Sequence, residues 1–217
     1  MPGKHEMPDQ AMKAALAERG LVCHLIVPSK PDDLHDELRE LLEETFNRHC
    51  TPAHFVNQTW AITLRPLEPE NAPPVACMTL QFHDDIPSYF LTGFEAVHPD
   101  RQRAGLGRLL YDCAVLWTRF LIVHDPLVIQ GVLNSGGSYH LVSFIDMPTR
   151  QDSWVPTLTD NEYGHGTFLK KLGFDRAVHD FGQNIDLEIA FSRAFHVPIS
   201  DYYQEEVLNE PARPASA

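Results

Sequence analysis

The sequence predicts a mixed α/β fold in which helices flank one central sheet. Runs rich in β-branched residues alternate with amphipathic runs, in the order strand, helix, three strands, helix, strand, helix, strand. The composition is ordinary for a soluble globular chain: 217 residues, 43% hydrophobic and 22% charged, enough to bury one core. No apolar run approaches the roughly 18 residues of a membrane span.

Each element has its own warrant. "LVCHLIV" (21–27) reads as a buried strand. Ser29 and Asp32 then have capping-box spacing, Pro31 suits a first helical turn, and Leu34, Leu38, Leu41, Leu42 and Phe46 share one helical face. "TWAITLRP" (59–66) and "PVACMTLQFH" (74–83) read as antiparallel strands joined by a proline-bearing turn. "SYFLTGFEAVHP" (88–99) is a strand ended by Pro99. Leu106, Leu109, Leu110, Cys113, Leu116, Trp117 and Phe120 repeat as a helical face. Residues 120–139 read as a second helical piece, broken near Pro126 and ending in a glycine-rich loop. "HLVSFID" (140–146) is a strand, and 147–164 a long loop of the kind that often carries function. "HGTFLKKLGF" (165–174) is a short helix with Gly173 past its end, and "DLEIAFSRAF" (186–195) a last strand. The chain therefore divides into an N-terminal extension (1–20), a single domain (21–200) and a polar tail (201–217).

Charge and cysteine content narrow the function. Seventeen basic residues against thirty acidic ones give −13, which argues against nucleic-acid binding, since that needs a basic face. Cys23, Cys50, Cys77 and Cys113 have no CxxC spacing and sit in apolar surroundings, as buried small hydrophobes in a reducing, cytoplasmic compartment. The twelve histidines show neither HxH nor HExxH spacing, so no metal is expected. The N-terminus lacks the apolar run of a secretory signal, no membrane partner is expected, and a homodimer is the default oligomer.

The stretch "DRQRAGLGRLL" (100–110) carries the chemistry. Glycine lets backbone approach a ligand, and the free N–H groups of a helix's first turn favour an anion. Gly105 and Gly107 clear that space, while Arg101, Arg103 and Arg108 add positive charge, so a pyrophosphate site is expected between strand 88–98 and the helix. No third glycine completes GxGxxG, and GxxxxGK[ST] is absent, which counts against NAD or ATP.

"VHPDRQRAGLGRLL" resembles the acyl-CoA-binding segment of the GNAT superfamily of N-acetyltransferases, whose pattern Q/R-x-x-G-x-G/A follows a strand ending in V-x-P. Gln102, Gly105, Gly107, Val97 and Pro99 match it. "TFLKKLGF" is similar to the family's "FYEKLGF" segment, and the resemblance spans residues 21–195. It implies a splayed, mostly antiparallel sheet in which strand 88–98 parts from strand 140–146, with pantetheine in the gap. It implies acetyl-CoA as co-substrate, bound through Ala96, Val97, Gln102, Arg103, Ala104, Gly105, Leu106, Gly107, Arg108 and Phe168. The implied reaction moves an acetyl group from a thioester to a primary amine of a small molecule or peptide.

Within that resemblance, Glu95 is the expected base, acting directly or through water, and backbone N–H near Val97 would polarise the carbonyl. Family bases often sit further up the strand, where this chain has Leu91 and Gly93. The family's frequent tyrosine is replaced by Leu169, so Tyr163 and His165 are the expected acids. Acceptor recognition is expected from residues 46–58 and 147–164, where Trp154, Tyr163, Asp152, Asp160 and Glu162 suit a cationic amine. The competing reading is a non-catalytic acyl-CoA-binding regulatory module on the same fold.

Overall fold

The computed structural model describes residues 3–28, 58–69, 72–146, 160–177 and 188–198. The helix expected after Pro31, Cys50, the acceptor segment up to residue 57, residues 147–159 with Asp152 and Trp154, and the tail 201–217 lie outside them.

Among the described residues, eight strands form one sheet in the order β1-β2-β3-β4-β5-β6-β8-β7. They are β1 (Gly3–Glu6), β2 (Leu21–Val27), β3 (Thr59–Pro66), β4 (Ala76–His83), β5 (Ser88–Val97), β6 (Ser138–Asp146), β7 (Asp175–Arg176) and β8 (Glu188–His196). The described helices are α1 (Gln10–Ala17), α2 (Leu106–His124), α3 (Pro126–Asn134) and α4 (Asp160–Lys171). Every strand pairing is antiparallel except β5 with β6, which is parallel. A parallel pair needs a crossover, and α2 and α3 supply it.

The elements start and stop where local chemistry directs. Asp9 caps α1 by accepting from Met12 N at 2.7 Å. Asp125 separates α2 from α3, accepting from Leu127 N at 3.0 Å, with Pro126 in the first turn. At the end of α4, Phe174 N donates to Leu169 O and Gly173 N to Lys170 O, both at 3.0 Å, with Gly173 at φ +81°. That is the paired Schellman arrangement, which needs a residue free to take positive φ.

The core lies between the sheet and α2. Trp117 is fully buried and donates through Nε1 to Cys23 Sγ at 3.4 Å. Phe90, at mid-sheet, packs against Phe82, Trp60 and Tyr139. Cys23, Cys77 and Cys113 are buried, as their apolar flanks predict.

Four departures from the sequence reading have physical causes. Residues 1–20, expected as an extension with a weak helical signal in "PDQAMKAALAERG", carry that helix as α1 but also supply β1 on the sheet edge, and Met7 and Leu16 join the core. β1 is short and polar because it is an edge strand paired on one side only. The helix expected from residue 165 begins at Asp160, inside the expected loop. β7, two residues long, carries no periodic signal and pairs with β8 through Asp175 and Arg176. The strand expected from residue 140 begins at Ser138, because Gly136 and Gly137 at φ +67° and +81° turn the chain immediately before it.

His24 gives the fold a titratable handle. It is 7% exposed, Nδ1 has no hydrogen-bond partner, and burial, with Lys4 and Arg65 nearby, lowers its pKa to about 4. The unfolded chain, with histidine near 6.5, binds the proton more readily, so stability is full above pH 6.5 and falls towards pH 4. Urea unfolding is expected to lose about 3 kcal/mol across this window through His24. His24→Gln is expected to flatten the slope; an unchanged slope would place the titration elsewhere.

Candidate functional site

The site begins with one irregularity in the sheet. Opposite β4, Gly93 pairs with Thr79 and Ala96 with Cys77, so Phe94 and Glu95 both stand against Met78. This is a β-bulge. In a regular strand, residues 92 and 95 would face opposite sides of the sheet. The extra residue brings Glu95 back to the face of Thr92, whose Oγ1 donates to Glu95 Oε1 at 3.0 Å.

The bulge coincides with the parting of two strands. β5 and β6 are paired from Ser88–Tyr139 to Thr92–Ser143 and no further, whereas β6 stays paired with β8 to Asp146. Residues 93–97 therefore have no described strand partner on the β6 side, where an extended ligand could add along the edge.

Glu95 stands at this fork, its side chain 20% exposed. Oε1 accepts from the hydroxyls of Thr92, of Ser143 at 3.2 Å and, in a short contact, of Tyr111 from α2. Oε2 lies 3.6 Å from His165 Nε2 on α4. Tyr111 is fully enclosed, its ring edge-on to Phe168 and Phe174. Burial, then the Glu95 charge, pushes its pKa well above the ordinary value, so it remains a proton donor to the carboxylate.

Below the fork lies a cavity of about 640 Å³. Ala96 and Val97 of β5, Pro99, Gln102, Arg103 and Gly105 of the turn, Leu106, Gly107 and Arg108 of α2 and Phe168 of α4 line it. The residues expected to hold a cofactor thus converge, except Ala104, which is exposed in the same turn and outside the lining. Gly105 is the N-cap of α2 at φ +77° with no side-chain cap, which leaves the first-turn amides free for an anion. A Cβ at Gly107 would stand 3.5 Å from the Phe168 ring, so glycine preserves the opening.

The mouth is basic although the chain is acidic. Arg101, Arg103 and Arg108 are exposed around the turn, Arg103 at φ +65°, and Arg108 Nε lies 3.7 Å from Asp112. Arg19, just past α1, brings Nη1 to 3.9 Å from where a Cβ on Gly105 would stand. No local pattern singles out Arg19, because its approach to the turn depends on how the end of α1 sits against Gly105.

The sequence brought Glu95 and His165 to one place but not their supporting groups. Thr92, Tyr111 and Ser143 lie on three different elements and have no motif spacing. Tyr163 lies in the first turn of α4, with Asp160 and Glu162, and their side chains are outside the described set. Leu169, at the position of the family's tyrosine, is fully buried and faces the core. Among the described residues no cluster of His, Cys, Asp or Glu could hold a metal. No described helix is long and apolar enough to cross a membrane.

The splayed sheet that the resemblance implies is present, with the glycine turn at the foot of the fork. No family model and no curated protein matches the chain. Solved structures do, over most of both chains. Arabidopsis thaliana NAA60 in complex with acetyl-CoA is 10% identical, covering 81% of this chain and 98% of that one, with a TM-score of 0.49. Arabidopsis thaliana Naa50 in complex with the bisubstrate analogue CoA-Ac-MVNAL is 13% identical, covering 80% and 99%, with a TM-score of 0.45. An acetyltransferase from Streptococcus agalactiae is 12% identical, covering 82% and 99%, with a TM-score of 0.42. The chemistry of the site rests on its own residues.

Gly105→Ala tests the turn. The nearest atom to the new Cβ is at an ordinary 3.9 Å, so the cost comes from backbone at φ +77°. The expected loss is about 1 kcal/mol, read as a lower urea midpoint at unchanged m-value. An unaffected midpoint would mean the turn relaxes freely.

Proposed function

We propose that this protein is an acetyl-CoA-dependent N-acetyltransferase that moves an acetyl group from the thioester to a primary amine of a small molecule or peptide. The observation that carries the reading is the continuity of cavity and fork. A cavity at the open N-terminus of α2, flanked by Arg103 and Arg108, is walled by Ala96 and Val97 of β5, which follow Glu95 directly on the stretch with no described β6 partner.

Each part of acetyl-CoA has a counterpart. The pyrophosphate would lie on the amides of Gly105 to Arg108, with Gln102, Arg103 and Ala104 in the turn beside it. Pantetheine would run against Ala96 and Val97 and pass Phe168, its amides pairing with β5 as an added strand. The thioester would then reach the fork, where backbone N–H near Val97 would polarise its carbonyl. No metal enters this chemistry.

The reaction forms a C–N bond and breaks a C–S bond. The nitrogen of the amine attacks the carbonyl carbon, the thiolate leaves with its electron pair, and the amine gives up a proton. Thiolates leave readily because their conjugate acids have pKa values near ~8.5. Glu95, directly or through an intervening group, is the base of this reading. Tyr163 and His165 stand on α4 as the other candidates for proton traffic.

A second reading has one observation in its favour. The buried Leu169 leaves the family's tyrosine position without a hydroxyl, as would suit a regulatory module that binds acyl-CoA without turning it over.

Thiol release from acetyl-CoA with primary amines decides between them, because a pure binder releases none. Glu95→Gln is expected to lower kcat at pH 7 by about 10²-fold or more while calorimetric acetyl-CoA affinity changes little. Equal loss of both would reduce Glu95 to a structural role. Binding without thiol release would favour the regulatory module.

A further inference from the structure

Five polar side chains from four elements meet at the fork: Thr92 and Glu95 on β5, Tyr111 on α2, Ser143 on β6 and His165 on α4. Three of them donate to one oxygen. Oε1 of Glu95 receives the hydroxyls of Thr92, Tyr111 and Ser143, and among the described residues Oε2 has a single polar neighbour, His165. A carboxylate needed only for packing does not require three donors on one atom. That arrangement fixes the rotation of the carboxyl group and aims its other oxygen.

We propose that Tyr111, with Thr92 and Ser143, is a positioning residue that locks Oε1 of Glu95 so that Oε2 faces His165, and that His165 is the intervening group that takes the proton from the acceptor amine. This rests on the acetyl-transfer reading above. His165 suits the role on position. Its side chain is 37% exposed, at the rim of a buried cluster, whereas Glu95 is 20% exposed behind it. The ring lies 6.1 Å from that of Phe168, a wall of the cavity. Imidazole has the side chain whose ordinary titration lies nearest neutrality, which suits a general base.

The facing atoms fix the tautomer. His165 turns Nε2 towards Glu95 Oε2, so Nε2 carries the hydrogen and Nδ1 is the basic nitrogen. At 3.6 Å the pair is beyond hydrogen-bond length and closes when substrate excludes water. In the reaction the amine nitrogen forms the bond to the acetyl carbon and its proton passes to Nδ1. The imidazolium so formed is stabilised by Glu95, the thiolate departs with the C–S electron pair, and solvent later receives the proton from His165. Tyr111 loses no proton at any step. Among the described residues, the ionisable groups facing His165 are Glu95 and, behind it, Tyr111.

The test needs no known acceptor. The Cε1–H resonances of the full-length chain are followed by NMR against pH, with His165 assigned from its loss in His165→Gln. Glu95→Gln is expected to move the His165 midpoint down, as loss of the facing carboxylate should. Tyr111→Phe is expected to move it part of the way, because the carboxylate is no longer held. Ser143→Ala, a smaller change, does the same if Tyr111→Phe fails to fold. A His165 midpoint unmoved by Glu95→Gln overturns the pairing. A midpoint moved by Glu95→Gln but unmoved by both Tyr111→Phe and Ser143→Ala overturns the positioning role.

Turnover completes the test. With acetyl-CoA and a mixture of spermidine, an alkyl amine and free-N-terminal peptides, His165→Gln is expected to lower kcat at least as much as Glu95→Gln. A fully active His165→Gln overturns the base assignment. Failure of the acetyl-transfer reading shows differently, as loss of acetyl-CoA binding by the wild-type chain while the linked titration persists.

Discussion

Everything at the candidate site depends on one extra residue in one strand. Without the bulge opposite Met78, Glu95 would face the other side of the sheet from Thr92 and from α2. The same irregularity lies just past the last β5–β6 pair, Thr92 with Ser143. The opening of the sheet and the aim of the carboxylate thus meet at one backbone feature. The flanking register on both strands holds it, so its cost is spread over a cooperative sheet rather than carried by a loop.

The opening is stabilised from both ends. Above it, Phe90, Phe82, Trp60 and Tyr139 form an aromatic core that keeps β5 and β6 paired up to Thr92. Below it, α2 starts at the glycine turn and runs back under the sheet, burying Leu106, Leu110, Trp117 and Leu121. The helix therefore serves three tasks. Its first turn offers amides to an anion, its apolar face builds the core, and its Tyr111 reaches up to the carboxylate. A polar hydroxyl in the middle of that apolar face is tolerated because its partners are already in place.

Much of the fold was legible because its signals are local. The apolar face of α2, Asp125 with Pro126 and the Gly173 stop each act through neighbours within a turn of helix. Gly105 was legible for a stricter reason: the N-cap conformation at φ +77° suits few other residues. The turn and cavity walls therefore followed from "RQRAGLGR". The bulge was not legible, because "TGFEAV" reads equally well as a regular strand and only the pairing with β4 reveals the extra residue. Tyr111 was hidden because its i+3 and i+4 neighbours, Ala114 and Val115, make it look like another apolar position of the helix. Thr92 and Ser143 are ordinary strand residues until the parallel register sets them side by side. β1 escaped notice because an edge strand of four polar residues buries little and so carries no periodicity.

The central claim is that the glycine turn and the fork form one slot for an acyl thioester of a nucleotide. Thermal stabilisation of the purified chain by acetyl-CoA, with NAD and ATP as controls, tests it most directly. Selective binding to the folded state raises the midpoint with ligand concentration. The account predicts a clear, saturable rise with acetyl-CoA and little with the other two. No rise with acetyl-CoA, or an equal rise with ATP, would contradict it and leave the turn at Gly105 serving some other anion.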